Sequence, residues 1–286
     1  MLDAMESTVK EAASESSDRS LSSRLAEVRG RVAAAAAEAG RDPREICLVA
    51  VTKHASMDQI RELVGLGHVD LGENRVQQLI QRAAQVEEYL GRRRQLPESS
   101  GAAAHPRAVR WHMIGRLQRN KVRKAVELSR LIHGVDSLRL AEEIQAVAAR
   151  REQPIEILVQ VNVAGESQKG GVAPAAARHL VDQIDTMVNV RPRGLMCMAP
   201  LAEDGSTDLD VARRTFTRCR ELFEDIRAGG SGGDRFDILS MGMSGDFEVA
   251  IACGANLVRV GSSIFGDSPV GGEDEDPADE DAAEAS

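Results

Sequence analysis

The feature that most limits what this chain can fold into is a rhythm. Short apolar runs alternate with helical segments, without a break, from about residue 46 to residue 261. A polar stretch and one helix come first. LSSRLAEVRGRVAAAAAEAG puts Leu21, Leu25, Val28 and Val32 on one helical face, and Gly40 stops it. ICLVAVT (46–52), continuous and rich in β-branched residues, then reads as a strand, followed at helical spacing by MDQIRELVGLG (57–67). HVDLG (68–72) leads to a helix over 73–90, and VRWHMIG (109–115) leads to QRNKVRKAVEL (118–128). LIHGVD (131–136) precedes a helix over 137–150, with Asp136 or Ser137 placed to cap it. PIEILVQVNV (154–163) is followed by a helix over 173–187, and RPRGLMCMA (191–199) by a long one from about 208 to 227. FDILSMG (236–242) is followed by DFEVAIACG (246–254), and NLVRVG (256–261) closes the series.

Strands alternating with helices imply a parallel sheet. Eight such units in about 220 residues suit an α/β protein built as a single (β/α)8 TIM barrel, here with an extra N-terminal helix. The alternative is an open doubly wound sheet. No G-x-G-x-x-G follows the first strand, so the dinucleotide-binding form of that fold lacks its fingerprint. The expected organisation is a barrel over 21–267 between a disordered segment (1–20) and an acidic disordered tail (268–286). The tail, GGEDEDPADEDAAEAS, accounts for most of the net charge of −9 and leaves the body close to neutral.

Composition narrows the function classes. A near-neutral body gives no electrostatic footprint for nucleic acid. Arg92, Arg93 and Arg94 fall in a loop-like stretch and read as a solvated patch. No apolar run reaches the roughly 20 residues that span a bilayer, and the first residues lack a signal peptide's basic start and apolar core. A cytoplasmic location is the expectation. The cysteines (Cys47, Cys197, Cys219 and Cys253) are scattered, without a C-x-x-C pair or clustered histidines. That speaks for free, buried or half-buried thiols rather than disulfides or zinc.

In a barrel of this type, functional side chains gather where strands end, on the C-terminal face. Those ends carry Lys53 and His54, Glu73 and Asn74, His112, Asn162, the Ser240 to Ser244 run, and Arg259 to Ser263. The chain has 31 arginines but five lysines: Lys10, Lys53, Lys121, Lys124 and Lys169. Only Lys53 directly ends an apolar strand, where partial desolvation would lower an amine's pKa and favour the nucleophile an imine needs. Position alone leaves that reading level with a lysine pointing into water. GMSGD after strand seven and GSS after strand eight supply small residues, backbone N–H groups and hydroxyls in adjacent loops. A phosphate site between those loops recurs in this fold. With Lys53 across the mouth, the set points to a phosphorylated carbonyl ligand.

Here the residues carry a resemblance. AVTKHAS, LGENRVQQL, WHMIGRLQRNK, GVDSLRLAEEI, ILVQVNVAGESQKGGV, RGLMCMAP and SMGMSGDFEVAIACGANLVRVGSSIFG resemble, in order and spacing, the pyridoxal 5′-phosphate (PLP) homeostasis protein family. The match runs from about residue 20 to 267, and members look like the alanine racemase N-terminal barrel standing alone. The resemblance implies PLP held as a Schiff base on Lys53, its phosphate on Ser244, Gly261 and Ser262, and Arg259 facing the pyridine nitrogen. Asn74 and His112 match motif positions near the mouth, Asn74 being counted with the cofactor residues. The chain departs from the family pattern at His54 and Ala55, and at Gly245, where an acidic residue is usual. A permanently charged arginine beside the ring favours an unprotonated nitrogen and a weak electron sink.

The implied function is PLP homeostasis, as a monomeric carrier or buffer without catalytic turnover, serving PLP-dependent apo-enzymes. Two alternatives stand beside it: a PLP-dependent amino-acid racemase, and a cofactor-free Schiff-base aldolase using Lys53 or Lys169. A racemase needs a second acid or base across the imine. The sequence ends about twenty residues after strand eight, and its one tyrosine, Tyr89, is expected away from the mouth, leaving His54 and His112 as substitutes.

Overall fold

The computed structural model describes residues 20–95, 108–166, 170–202 and 205–266. Residues 1–19, the expected acidic tail (268–286) and Lys169 lie outside them, whereas Ser20 lies inside. The strands are β1 (Cys47–Val51), β2 (Asp70–Glu73), β3 (Arg110–Met113), β4 (Ser129–Val135), β5 (Ile155–Gln160), β6 (Val190–Met196), β7 (Ile238–Ser240) and β8 (Leu257–Val260). All pair in parallel, in chain order, and β8 closes on β1 with Cys47 opposite Leu257. The α/β barrel read from the alternation is the observed fold.

The first helix, α1 (Leu21–Glu38), precedes the barrel, and Ser20 caps it by accepting from Ser23 N at 3.2 Å. The rest follow the strands in turn: α2 (Met57–Gly65), α3 (Val76–Arg94), α4 (Val122–Leu128), α5 (Leu138–Ala148), α6 (Pro174–Asp185), α7 (Leu209–Ala228), α8 (Phe247–Ala252) and α9 (Ser262–Phe265). Helices cover the outer faces of strands whose lumen faces are also packed. This is why the strands read as continuous apolar runs rather than alternating ones. Val49, Leu131, Leu158, Met196 and Leu257 fill the lumen, while the larger apolar cluster lies between sheet and helices. At about 25 cal/mol per Å² of apolar surface removed from water, that burial is the main term opposing chain entropy.

Four local expectations need correction. Helix α3 starts at Val76, because Glu73 is the last residue of β2 with its carboxyl buried, and it runs on to Arg94. Arg92, Arg93 and Arg94 therefore occupy its last turn, not a loop, where cations complement the exposed carbonyls. They are solvent-exposed, with Arg94 paired to Glu87 at 2.9 Å. Ser137 is the N-cap of α5 but makes no side-chain cap bond. Helix α9, a four-residue turn that opens just after β8, is absent from the sequence pattern. It is tied back by Arg24 Nε to Ile264 O at 2.8 Å and Gln59 Nε2 to Phe265 O at 3.1 Å.

Candidate cofactor-binding site

The C-terminal ends of the strands enclose a cavity of about 950 Å³. Lys53, Asn74, Ser244, Arg259, Gly261 and Ser262, all six residues expected from the sequence, line it. They come from the loops after β1, β2, β7 and β8 and from β8 itself, so only barrel closure brings them together.

Lys53 is the one lysine that lines the cavity among the described residues. Its side chain is exposed, so the desolvation expected at a strand end is not present. What the structure supplies instead is a fixed loop beneath it. Arg82 of α3 donates to Thr52 O and to Ala55 O at 3.0 Å, and reaches Lys53 O at 3.5 Å. The same guanidinium pairs with Glu73 at the end of β2, and Thr52 Oγ1 donates to that carboxylate. Burial pushes the Glu73 carboxyl up, and Arg82 and Thr52 oppose this only in part. His54 lines the cavity beside Lys53. Partial burial, then the Lys53, Arg82 and Arg75 cations, push its imidazole down.

The phosphate-type end is built from backbone. Gly242 takes φ +90°, and an added Cβ there would lie 2.6 Å from Ala250 Cβ, so the loop after β7 approaches α8 as only glycine permits. Met243 N donates to Asp246 Oδ1 at 2.6 Å, closing the turn. Ser244 Oγ accepts from Gly261 N at 3.2 Å and Ser263 N at 3.4 Å. With both lone pairs engaged, its hydroxyl hydrogen is left for an anionic acceptor. A Cβ on Gly261 would come within 3.3 Å of Val51 O, so the glycine keeps this cradle open.

Arg259 is 3% exposed. Nη1 donates to Ser240 Oγ and Nη2 to Cys197 O at 3.0 Å, two of a guanidinium's five donors. Burial lowers its pKa, and Cys197 and the Asp246 carboxylate act the other way. A buried cation so placed is costly without an acceptor from the cavity. Asn74 Oδ1 is likewise buried at the cavity without a partner. These features fit PLP, which would present an anion to the glycine–serine loops and a ring nitrogen to Arg259.

His112 is not at the mouth. It is 4% exposed inside the lumen, hydrogen-bonded to Asp70 and His133. Several site residues carried no clear sequence signal: Arg82, His133, and Gln160, which lines the cavity and holds Gly170 O at 2.6 Å. The available hint was a polar residue inside an apolar strand, as in SRLIHGV. The four cysteines are free, Cys197 and Cys219 buried and the other two half-buried, as expected.

Fold and cavity together define a single-barrel protein of the alanine racemase N-terminal type. The family model described as "Alanine racemase, N-terminal domain" matches residues 24–269. The pyridoxal phosphate homeostasis protein of Pseudomonas aeruginosa is 35% identical over 243 residues, 85% of this chain and 93% of the relative. That of Mycobacterium leprae is 34% identical over 253 residues, 85% of this chain and 91% of the relative. The structure of PipY from Synechococcus elongatus PCC7942 with PLP bound superposes at TM-score 0.69 and 31% identity, covering 86% of this chain and 100% of that one. An alanine racemase from Clostridium difficile 630 shares the fold at TM-score 0.60 and 14% identity, covering 90% of this chain and 59% of that one. The chain belongs to the pyridoxal phosphate homeostasis protein family.

Proposed function

We propose that this protein binds PLP at the barrel mouth, held as a Schiff base on Lys53, and serves intracellular PLP homeostasis as a carrier or buffer rather than by turnover. The observation that carries the reading is convergence: one lysine, an anion cradle and a buried arginine with spare donors share one cavity. When bound, PLP supplies an aldehyde that condenses with an amine and a ring that withdraws electrons. Lys53 offers the amine from a loop pinned by Arg82. Ser244 and Ser262 hold the phosphate by their hydroxyls, and Gly261, whose N–H goes to Ser244 Oγ, keeps room for it. Arg259 donates toward the ring nitrogen and, being permanently charged, disfavours its protonation.

The carrier reading rests on what faces Lys53. Tyr89 lies on α3 with Arg93 stacked 5.6 Å from its ring centroid, in a separate depression with Arg61 and Gln85. Service to PLP-dependent apo-enzymes, action as a monomer and a cytoplasmic setting belong to the same proposal. No helix among the described residues is long and apolar enough to cross a membrane. The test is a spectrum of the purified protein with PLP, borohydride reduction, and peptide mapping. An imine band with the label on Lys53 supports the proposal, and a label on Lys169 or Lys121 overturns the site. Incubation with L-alanine in deuterated water separates carrier from racemase. Stereorandom Cα exchange at enzymatic rates, lost in Lys53→Ala, would make it a racemase.

A further inference from the structure

A continuous polar chain crosses the barrel lumen behind Arg259, and the chemistry at its two ends determines every hydrogen along it. Ser240 (β7) and His133 (β4) are fully buried, while His112 (β3) and Asp70 (β2) are 4% and 8% exposed. Their atoms form one line. Arg259 Nη1 meets Ser240 Oγ, Ser240 Oγ lies 3.1 Å from His133 Nδ1, His133 Nε2 lies 3.0 Å from His112 Nδ1, and His112 Nε2 lies 3.2 Å from Asp70 Oδ1.

An arginine only donates, so Ser240 Oγ accepts from it and its own hydrogen goes to His133 Nδ1. His133, neutral in this apolar setting, then carries its hydrogen on Nε2 and donates to His112 Nδ1. His112 in turn carries hydrogen on Nε2 and donates to Asp70. The far end agrees, because a carboxylate only accepts. Asp70 also takes Arg110 Nε at 2.7 Å and Nη2 at 2.5 Å, at the opposite face of the barrel from the cavity. The reverse polarity would leave the Asp70 carboxylate facing a bare nitrogen, two acceptors with no hydrogen between them.

We propose that Ser240, His133 and His112 are positioning residues for Arg259: a hydrogen-bond chain of single polarity, ending on Asp70, that holds the guanidinium toward the cofactor cavity. Each group turns its negative end to Arg259, so the aligned dipoles carry the influence of the Asp70 charge across the lumen to a buried cation. With Nη1 held from behind, the remaining donors face the ring of a bound ligand. The chain cannot pass a proton to that ring without reversing every link. This inference rests on the PLP reading for its consequence, but its geometry is independent of any ligand.

Two measurements test it. In full-length protein labelled with ¹⁵N-histidine, long-range ¹H–¹⁵N spectra at pH 7 should show His112 and His133 both with hydrogen on Nε2 and a bare Nδ1. Hydrogen on Nδ1 of His133, or a protonated His133, overturns the chain whether or not PLP binds. Ser240→Ala removes one oxygen and adds no volume. It should raise the PLP Kd at least about tenfold and shift the imine band, while borohydride still labels Lys53. Unchanged Kd and band in that variant, with Lys53 labelled, would overturn the positioning role and leave the PLP reading intact. Absence of label on Lys53 in the unmodified protein would instead remove the PLP reading, and the tautomer result would stand by itself. If Ser240→Ala does not fold, the tautomers of the unmodified protein decide the matter.

Discussion

Replacing Arg82 by methionine should be among the most damaging single changes outside the apolar core. The guanidinium bridges α3 to the loop after β1, pairing with Glu73 and holding the Thr52 and Ala55 carbonyls. Its side chain is 13% exposed and that of Glu73 is 0%, so solvent screens the pair little. Removing one partner of a buried pair typically costs about 3–5 kcal/mol, because the other charge stays buried alone. An escape limits the loss: Glu73 can protonate. Holding a carboxyl neutral at pH 7, against an ordinary value near 4.3, costs about 4 kcal/mol at about 1.4 kcal/mol per unit. Burial already draws part of that cost in the unmodified protein, since Glu73 is shifted upward there too.

The expected loss in Arg82→Met is therefore about 3 kcal/mol at pH 7, including the freed carbonyls. The sign with pH follows. A carboxyl whose folded pKa lies above its unfolded one contributes most below the unfolded value and progressively less as pH rises. Arg82→Met raises that folded pKa further, so its deficit should shrink between pH 7 and pH 5. Glu73→Gln in the same background should recover part of the loss, because a neutral amide replaces a stranded charge. Urea unfolding followed through Trp111 reports all of this, as it is the chain's single tryptophan and 5% exposed in β3. A deficit below about 1 kcal/mol at pH 7, or one indifferent to pH, would refute the argument.

Three further outcomes are expected. Lys53→Ala should abolish the imine band yet leave the urea midpoint within error, because the side chain is exposed and removes no core volume. Ser244→Ala combined with Ser262→Ala should weaken PLP retention by roughly 1.5–3 kcal/mol per hydroxyl while the backbone donors remain, and equilibrium dialysis would show it. Stability should fall as pH drops below about 6.5. Burial, then Arg29, pulls His68 down to about 4, and burial above all pulls His133 well down. For a histidine whose folded pKa is depressed, the unfolded state takes the proton first, so stability is full above the unfolded value and lost toward the folded one. The slope is about 1.4 kcal/mol per pH unit for each histidine, and flat urea midpoints from pH 7 to pH 5 would contradict it.

The barrel itself was legible in the sequence because period is a local property. Parallel strands covered on both faces must be apolar throughout, and their helices must be apolar on one side, so ICLVAVT and MDQIRELVGLG announce themselves without knowledge of their neighbours. Lys53 and the glycine–serine loops were legible for a related reason: a barrel always places strand ends on one face, so position along the chain already selects the mouth. The six cavity residues followed from that rule together with the family motif.

What the chain order could not reveal is what points where across the lumen. Glu73 read as the start of a helix, because an acidic residue there is ordinary. Only the docking of α3 shows it buried against Arg82, nine residues on. His112 read as a mouth residue, yet the pleat turns it inward to meet His133 from β4. Ser240 and Arg259 meet only because β7 and β8 are neighbours in a closed sheet. Hydrophobic pattern acts over a few residues and survives in the sequence. Pairing of buried polar groups depends on which strands face one another, and barrel closure alone decides that.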